Sequence, residues 1–327
     1  MGSVCYEKPL GSHIMRATDY QSLIDAQTWA FIAATGAHYP PDTASLPIDR
    51  QRAIYDAMTA AFRGARPTGI SAQDHPCAGV PCRHYARTGS GGAEDAPTVI
   101  YFHGGGFVVG GLHSHDDICA EICDATGFQV VAVDYRLCPE HPHPAAFDDC
   151  MAVVLAIPGP LLLVGDSAGG TLAAAVAAEL RGDRVRGQVL IYPWLGGDTA
   201  RASYIAHANA PMLTAADVRF YAAVRHGGSV PAAPDPTANP LSANDFSALP
   251  PTLAIAAQCD PLADDAPAYA SAITAAGGRA HAITEPGLVH GYLRARHSVP
   301  RAAASFARIT ATLSAFGIGH WPFGDTP

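Results

Sequence analysis

The sequence predicts an α/β fold in which helices cover both faces of a mostly parallel central sheet. Short apolar, β-branched runs alternate with helical patterns along most of the chain, as is typical of parallel strands joined by helices. Of the 327 residues, 49% are hydrophobic and 15% are charged, so the chain can bury a large core. This length suits one large domain with a modest insertion, or two small domains.

Six apolar runs are predicted to be strands. They span residues 98–102, 129–133, 161–164, 189–192, 252–257 and 280–284. Helical patterns lie between them, for example over residues 168–180, where the pattern stops at Gly182. Ahead of the first strand, residues 20–63 show apolar positions at helical spacing, interrupted by a proline pair at 40–41. These N-terminal helices are expected to cover the sheet rather than to join it.

One segment interrupts the alternation of strands and helices. Residues 196–250 contain no convincing core strand, but they include a helical stretch at 215–225 and a loop rich in proline and alanine at 230–240. We expect this insertion to pack with the N-terminal helices, residues 16–70, as a cap over the functional site. The α/β core then consists of residues 71–195 and 251–327.

The composition argues against two classes of partner. A formal net charge of −9 argues against nucleic-acid binding, which requires a basic face. No apolar stretch is long enough to cross a membrane, and the N-terminus lacks the pattern of a secretory signal, so we expect a cytoplasmic protein. Residues 1–15 are expected to be disordered or to derive from cloning, because the sequence at 11–13 (GSH) resembles a cloning scar.

Two groups of residues could bind a metal, but other roles are favoured for both. The eight cysteines are expected to be free thiols, and the pair Cys119 and Cys123 on a predicted helix would need further ligands to hold zinc. The second group comprises His113, His115, Asp116 and Asp117. The segment from 114 to 117 is predicted to begin a helix. Acidic and capping side chains are expected at a helix N-terminus, so these residues need no metal to explain them.

The strongest chemical signal is G-x-S-x-G at residues 165–169, between a predicted strand and a predicted helix. A turn this tight tolerates no flanking side chains and places Ser167 at a strained backbone angle, with Oγ projecting into a cleft. The alternative is a serine that merely caps the helix. The context of strand and helix favours Ser167 as a nucleophile.

A second glycine-rich segment, His103 to Gly106, follows the strand at 98–102. Glycines here would leave backbone N–H groups free to bind an oxyanion, with the Gly105 and Gly106 amides joined by the Ala168 amide. The alternatives are a flexible turn or a phosphate loop, but the Lys-Ser/Thr pair of a phosphate loop does not follow. His103 is predicted to fix this loop and not to act as a base.

A serine nucleophile needs a base, and the base needs a group that orients it. Asp260 and His290 are the candidates, because each follows a late predicted strand and they occur in the order Ser, Asp, His. Asp264 and Asp265 are predicted instead to begin the next helix. His281 is predicted to lie within a strand and His297 within the following helix.

As a set, these motifs resemble the hormone-sensitive-lipase group of bacterial esterases, which have the α/β-hydrolase fold. The matching segments are 101–107 (YFHGGGF), 133–142 (VDYRLCPEHP), 144–149 (PAAFDD), 165–170 (GDSAGG), 260–262 (DPL) and 290–292 (HGY). The resemblance covers residues 97–292. The departures are mild, with Cys138 where alanine is more common and Tyr292 where phenylalanine is.

The resemblance implies a serine carboxylester hydrolase that acts on short- to medium-chain acyl esters. It implies a triad of Ser167, Asp260 and His290 and an oxyanion hole formed by the amides of Gly105, Gly106 and Ala168. It also implies that residues 135–142 support the oxyanion loop, that helices cap the site, and that a homodimer can form. No metal or organic cofactor is expected.

The cap is expected to set the size of the substrate. The candidates for its pocket are Trp194, Met212, Leu213 and Tyr221, together with Tyr204 and Phe220, although each could simply hold the cap on the core. Two alternatives to an esterase stay open: an amidase or lactonase with the same triad, and a ligand receptor of the same fold without turnover.

Overall fold

One eight-stranded sheet organises the chain in the computed structural model, which describes residues 18–89, 95–229 and 233–324. In chain order the strands are β1 (Ile70–Asp74), β2 (Cys82–Arg87), β3 (Thr98–Phe102), β4 (Val130–Val133), β5 (Leu161–Asp166), β6 (Val185–Ile191), β7 (Thr252–Cys259) and β8 (Ala280–Val289). They lie side by side in the order β1-β2-β4-β3-β5-β6-β7-β8. Strands β3 to β8 pair in parallel, whereas β2 is antiparallel to both β1 and β4.

All six predicted strands are present, and the mostly parallel sheet is confirmed. The largest boundary error concerns β8, which was predicted to end at residue 284 but continues to Val289. Pro286 and Gly287 look like a turn in the sequence. They are tolerated because β8 is an edge strand whose pairing with β7 shifts register nearby, so a missing N–H costs little there.

Strands β1 and β2 were not predicted, and they form an antiparallel pair at the other edge of the sheet. In β1 only Ile70 is buried, so the strand shows little apolar alternation. In β2 the buried Arg83 donates to Asp74 and to Asp116. A strand that buries an ion pair in place of an apolar side chain carries no hydrophobic period to recognise.

In the middle of the chain, the described helices match the predicted ones. At the N-terminus, the predicted helical stretch is divided into shorter helices. They are α1 (Tyr20–Leu23), α2 (Ala26–Gly36), α3 (Ile48–Phe62), α4 (Asp116–Thr126), α5 (Ala145–Ala156), α6 (Ala168–Leu180), α7 (Ala202–Ala206), α8 (Ala215–Arg225), α9 (Asp265–Ala275) and α10 (Pro300–Gly317). The predicted helices at 168–180 and 215–225 are confirmed. The helical pattern from 20 onwards breaks where Asp25 caps α2 by accepting from the Thr28 amide, at 2.8 Å.

The two faces of the sheet form two core clusters. Along β3, Val99 and Tyr101 belong to one cluster and Ile100 and Phe102 to the other, as expected for side chains that alternate across a strand. Helices α5, α6 and α9 pack on the face of Ile100, and α4 and α10 pack on the opposite face. Both faces are therefore buried, and ligands are confined to the edge where the parallel strands end.

The predictions about the cysteines and about membrane-spanning helices can be compared with the described residues. The seven cysteines among them are free thiols, and six are buried, including Cys119 and Cys123 on α4. Within these ranges, no helix combines the length and the apolar character that crossing a bilayer requires. Residues 1–15, with the GSH sequence at 11–13, Cys5 and residues 230–232 of the Pro/Ala-rich loop lie outside the described residues.

Candidate active site

Ser167 lies in the turn between β5 and α6 with backbone angles of φ 53° and ψ −117°. This positive φ is strained for a residue with a side chain. The Ser167 amide donates to the Ile191 carbonyl of the neighbouring strand at 2.9 Å, which fixes the turn to the sheet. The serine hydroxyl therefore projects from the end of the sheet at the start of a helix.

The glycines beside Ser167 are sterically required. A Cβ atom at Gly165 would lie 2.1 Å from the carbonyl oxygen of Gly169, and one at Gly169 would lie 1.9 Å from that of Phe102. Both clashes are with backbone atoms, which cannot rotate away. The close packing that the G-x-S-x-G pattern predicts is therefore present on both sides of the serine.

Replacing Gly169 with alanine is expected to destabilise the protein by about 3 kcal/mol or more, because α6 must move away from β3 to admit the methyl group. Gly36→Ala at the end of α2 is the matched control, since a Cβ atom there meets nothing within 4 Å. Urea unfolding of both variants measures the difference. Equal stabilities for the two variants would contradict the packing described for the turn.

Asp260 and His290 follow the ends of β7 and β8, and His290 lies between Asp260 and Ser167. His290 Nε2 lies 2.8 Å from Ser167 Oγ, and His290 Nδ1 lies 2.6 Å from Asp260 Oδ2. The second carboxylate oxygen of Asp260 accepts from the Leu262 amide at 2.9 Å, and the residue is only 1% exposed. A base between the hydroxyl and a buried carboxylate can take the proton of the serine.

The competing acids are engaged elsewhere. Asp265 begins α9, as predicted, and its carboxylate accepts from the Leu195 amide. Asp264 precedes it as the cap residue and accepts from the Ser203 amide.

The two competing histidines also lie away from Ser167. His281 lies in β8, as predicted, and stacks on Phe323. The prediction for His297 was wrong: it lies in the turn before α10, because Pro300 occupies the first turn of that helix and fixes its start. His297 contacts Glu121 at 2.9 Å.

The predicted oxyanion residues lie beside the nucleophile: Gly105 and Gly106 line the same cavity as Ser167, and Ala168 follows it in the chain. Gly105 and Gly106 have φ values of 127° and 60°, and Ala168 is the first residue of α6. A Cβ atom at Gly105 would lie 2.1 Å from the Val109 carbonyl oxygen, so the loop can adopt this path only with glycine. Within the described chain, none of the three amides donates a hydrogen bond to another protein group, which leaves them available to a ligand oxygen.

The buried carboxylate of Asp166 holds the oxyanion loop, a role that the sequence analysis missed. Asp166 Oδ1 accepts from the Gly104 amide at 2.9 Å and from the Tyr101 hydroxyl at 3.0 Å. His115 Nε2 lies 3.2 Å from the same oxygen. Burial opposes ionisation, but His115 and these hydrogen bonds hold the pKa of Asp166 well below its usual range. The ionised carboxylate therefore anchors the loop to the nucleophile turn.

His103 supports the oxyanion loop, as predicted. Its Nδ1 lies 2.7 Å from the Gly104 carbonyl oxygen, and its ring stacks on Tyr135 with centroids 4.2 Å apart. The Tyr135 hydroxyl donates to the His103 carbonyl at 2.6 Å. Burial, with the neighbouring His115, lowers the pKa of His103 to about 4, so the ring is neutral at pH 7.

The acids of the candidate metal cluster take part in ion pairs. Asp116 accepts from Arg83, Arg66 and the Tyr85 hydroxyl. Asp117 accepts from Arg296, which also donates to Glu121. Although Asp117, Glu121 and His297 lie close enough to share an ion, the guanidinium of Arg296 already forms an ion pair with each of the two carboxylates.

A cavity of about 720 Å³ opens above Ser167 and His290. The candidate pocket residues Trp194, Met212, Leu213, Tyr221 and Phe220 line it. Tyr204 lies outside this lining, and its hydroxyl is 3.3 Å from an Asp265 oxygen.

The N-terminal helices supply a large part of the cavity wall. Ile32 and Thr35 come from α2, and Gln51, Tyr55 and Met58 come from α3. Sequence reasoning identified these helices as a cover but none of their residues as lining. An amphipathic pattern shows that a helix has a buried face, but it does not show whether that face contacts the core or a cavity.

Comparison with known proteins places this geometry in a family. The profile of the α/β hydrolase fold matches residues 99–294. The chain is 35% identical to the carboxylic ester hydrolase LipN of Mycobacterium tuberculosis, over 74% of this chain and 68% of LipN. It is 34% identical to an ethyl acetate hydrolase of Pseudomonas putida, over 66% of this chain and 72% of that enzyme.

A solved structure is similar over nearly the whole chain. It is the ester hydrolase EH1AB1 from the metagenome of Lake Arreo, determined with a bipyridine phosphonate derivative. The TM-score is 0.78 at 29% identity, covering 90% of this chain and 99% of that one. With its fold, its G-x-S-x-G turn and these relatives, the chain belongs to the hormone-sensitive-lipase-like group of the α/β-hydrolase family.

Proposed function

We propose that this protein is a serine carboxylester hydrolase that cleaves short- to medium-chain acyl esters through an acyl-enzyme intermediate. The observation that carries the proposal is the chain of contacts from Ser167 Oγ to His290 and on to Asp260, at 2.8 and 2.6 Å, which opens into the cavity. Such a chain activates a hydroxyl that is otherwise too weakly acidic to attack a carbonyl.

In the first half of the reaction, Ser167 Oγ attacks the ester carbonyl while His290 Nε2 takes its proton. Asp260 orients the imidazole and stabilises the imidazolium that forms. The amides of Gly105, Gly106 and Ala168 donate to the oxygen on which negative charge develops. His290 then protonates the leaving alcohol as the C–O bond breaks, and the acyl group stays on Ser167.

In the second half, a water molecule takes the place of the alcohol. His290 removes a proton from this water as it attacks the acyl-enzyme carbonyl, and the same three amides bind the second tetrahedral intermediate. When that intermediate collapses, Ser167 recovers its proton from His290 and the carboxylic acid leaves. Every step uses side chains and amides of this chain, and none requires a cofactor.

The cavity supports the size class of the substrate. Apolar and aromatic side chains from α2, α3 and α8 line it together with Trp194, so it suits an acyl or alcohol chain of modest length. In this proposal the cap consists of residues 16–70 and 196–250, and the core of residues 71–195 and 251–327. The substrate in this proposal contacts four residues of the cavity wall: Trp194, Met212, Leu213 and Tyr221.

Two other functions remain as alternatives, and one panel of substrates separates them. Purified protein is assayed with nitrophenyl esters of two to twelve acyl carbons, with matched anilides and with lactones. We expect the highest kcat/KM on esters of eight carbons or fewer. Faster turnover of anilides or lactones would favour an amidase or a lactonase, and binding without turnover of any substrate would favour a receptor.

The proposal includes a homodimer in the cytoplasm that binds no nucleic acid. The negative net charge of the chain supports the last part, because phosphate backbones attract basic surfaces. Light scattering of the purified protein at several concentrations tests the oligomeric state. A monomer at all concentrations would remove the homodimer without affecting the proposed chemistry.

A further inference from the structure

Arg294 is a cation in the wall of the cavity above Ser167. It lies in the 3₁₀ turn that follows His290, Tyr292–Ala295, and it lines the cavity. Its Nη2 donates to the Tyr55 hydroxyl of α3 at 2.6 Å, and its Nη1 donates to the Gly291 carbonyl at 3.4 Å. These contacts place the guanidinium between the segment that carries His290 and the N-terminal helices.

In the part of the chain that the structure describes, this guanidinium has no direct ion-pair partner. No carboxylate of the described residues forms an ion pair with Arg294 within 4 Å, and its Nε is buried without a hydrogen-bond partner there. Its two hydrogen-bond acceptors among the described residues are both neutral oxygens. A partly desolvated guanidinium without a direct ion pair is costly, whereas a carboxylate that reaches it gains a charge-assisted, two-point contact.

The other charged residues that line the cavity form no ion pair with Arg294. Besides His290, Arg294 is the only basic residue among the described lining residues. Of the two lining acids, Asp166 attracts Arg294 through space but forms no ion pair with it, because its oxygens are engaged by His115, the Tyr101 hydroxyl and the Gly104 amide. Asp217 is engaged by Thr214 in the capping box that begins α8. The charge of Arg294 is therefore available to a ligand.

We propose that Arg294 binds a carboxylate of the substrate, so that the preferred substrates are esters that also carry a free carboxylate, such as monoesters of dicarboxylic acids. The proposal rests on the ester hydrolase function proposed above. Arg294 would act as a specificity-determining residue: its contact is with the distant carboxylate, while Ser167 attacks the ester. The Tyr55 hydroxyl orients the guanidinium by accepting from Nη2.

The test compares an anionic and a neutral ester of similar shape. Monoethyl adipate and diethyl adipate are followed in a pH-stat at pH 7.5, and 4-acetoxybutyrate and butyl acetate form a second pair with the carboxylate on the alcohol side. The readout is the ratio of kcat/KM for the anionic ester to that for the neutral ester. We expect Arg294→Met to lower this ratio about 10- to 100-fold in at least one pair, mainly through KM.

Three controls separate this role from a structural one. Arg50→Met removes an exposed arginine from α3, the helix that carries Tyr55, and is expected to leave the ratio unchanged. Arg294→Lys keeps the charge and should recover part of the preference. Calorimetric titration of Ser167→Ala with monoethyl adipate and diethyl adipate measures binding without turnover, so the inference is tested even if hydrolysis itself fails.

The outcomes are distinct. A wild-type ratio that Arg294→Met leaves unchanged in both pairs, while the neutral esters are hydrolysed, would overturn the carboxylate site and leave the esterase intact. Lack of hydrolysis of every ester, with tighter binding of the monoester to Ser167→Ala, would overturn the proposed reaction but support the site. Equal binding of monoester and diester would overturn the site in either case.

Discussion

Replacing Ser167 with alanine is expected to lower kcat for nitrophenyl acetate by about 10⁶-fold, the loss typical of removing a serine nucleophile that works with its base. The residue carries the oxygen that forms the acyl bond, and no other hydroxyl is described in contact with His290. The cavity and the oxyanion amides would remain, so slow hydrolysis above the rate in water can persist. Steady-state kinetics with burst analysis measures the loss.

The matched control for this variant is Ser71→Ala. Ser71 lies in β1 at the far edge of the sheet and donates to the Ala86 carbonyl, away from the cavity. Loss of this hydroxyl is expected to leave kcat within about twofold of the wild-type value, since a hydrogen bond outside the cavity contributes mainly to stability. Ser167→Ala protein that is folded, as judged by circular dichroism, and retains the wild-type rate would rule out Ser167 as the nucleophile.

Replacing Asp260 with asparagine is expected to lower kcat by about 10⁴-fold without changing the shape of the site. Asp260 accepts two hydrogen bonds, one from the Leu262 amide and one from His290 Nδ1. Asparagine has only one oxygen, and the Leu262 amide would hold it. Its NH₂ group would then face Nδ1 and select the tautomer with the proton on Nε2. That imidazole donates to Ser167 instead of accepting its proton.

Asp264→Asn is the control for this second variant. Its carboxylate lies four residues further on and accepts from the Ser203 amide, so it tests the loss of a nearby charge without the contact to His290. We expect kcat to fall less than tenfold. If both variants lose the same activity, the effect of Asp260 would come from the local field rather than from the orientation of the imidazole.

Comparison of the sequence and the structure shows which signals determine the fold. Strands β3, β5 and β7 were found because they are buried on both faces and so read as unbroken apolar runs. Strands β1 and β2 were missed because an edge pair that buries Arg83 lacks that signal. The region most accessible to sequence reasoning was therefore the centre of the sheet.

In the candidate site, too, the residues at the ends of the central strands were the ones predicted from the sequence. Ser167, Asp260 and His290 were identified from motifs at the ends of central strands, and the structure brings their side chains into contact. Asp166 and Arg294 carry no motif that states their role. Their surroundings, His115 and the Gly104 amide for one and Tyr55 for the other, come from distant parts of the chain and meet only in the fold.

The role of Ser167 as the attacking group is tested most directly by covalent labelling with an organophosphate, followed by mass spectrometry of the digested protein. We expect one phosphoryl adduct per chain, on the peptide that contains Ser167, formed in parallel with the loss of esterase activity. Ser167→Ala should take up no adduct, and Asp260→Asn should react more slowly. Full inactivation with the adduct on another residue, or unimpaired hydrolysis by the labelled protein, would contradict the assignment of Ser167.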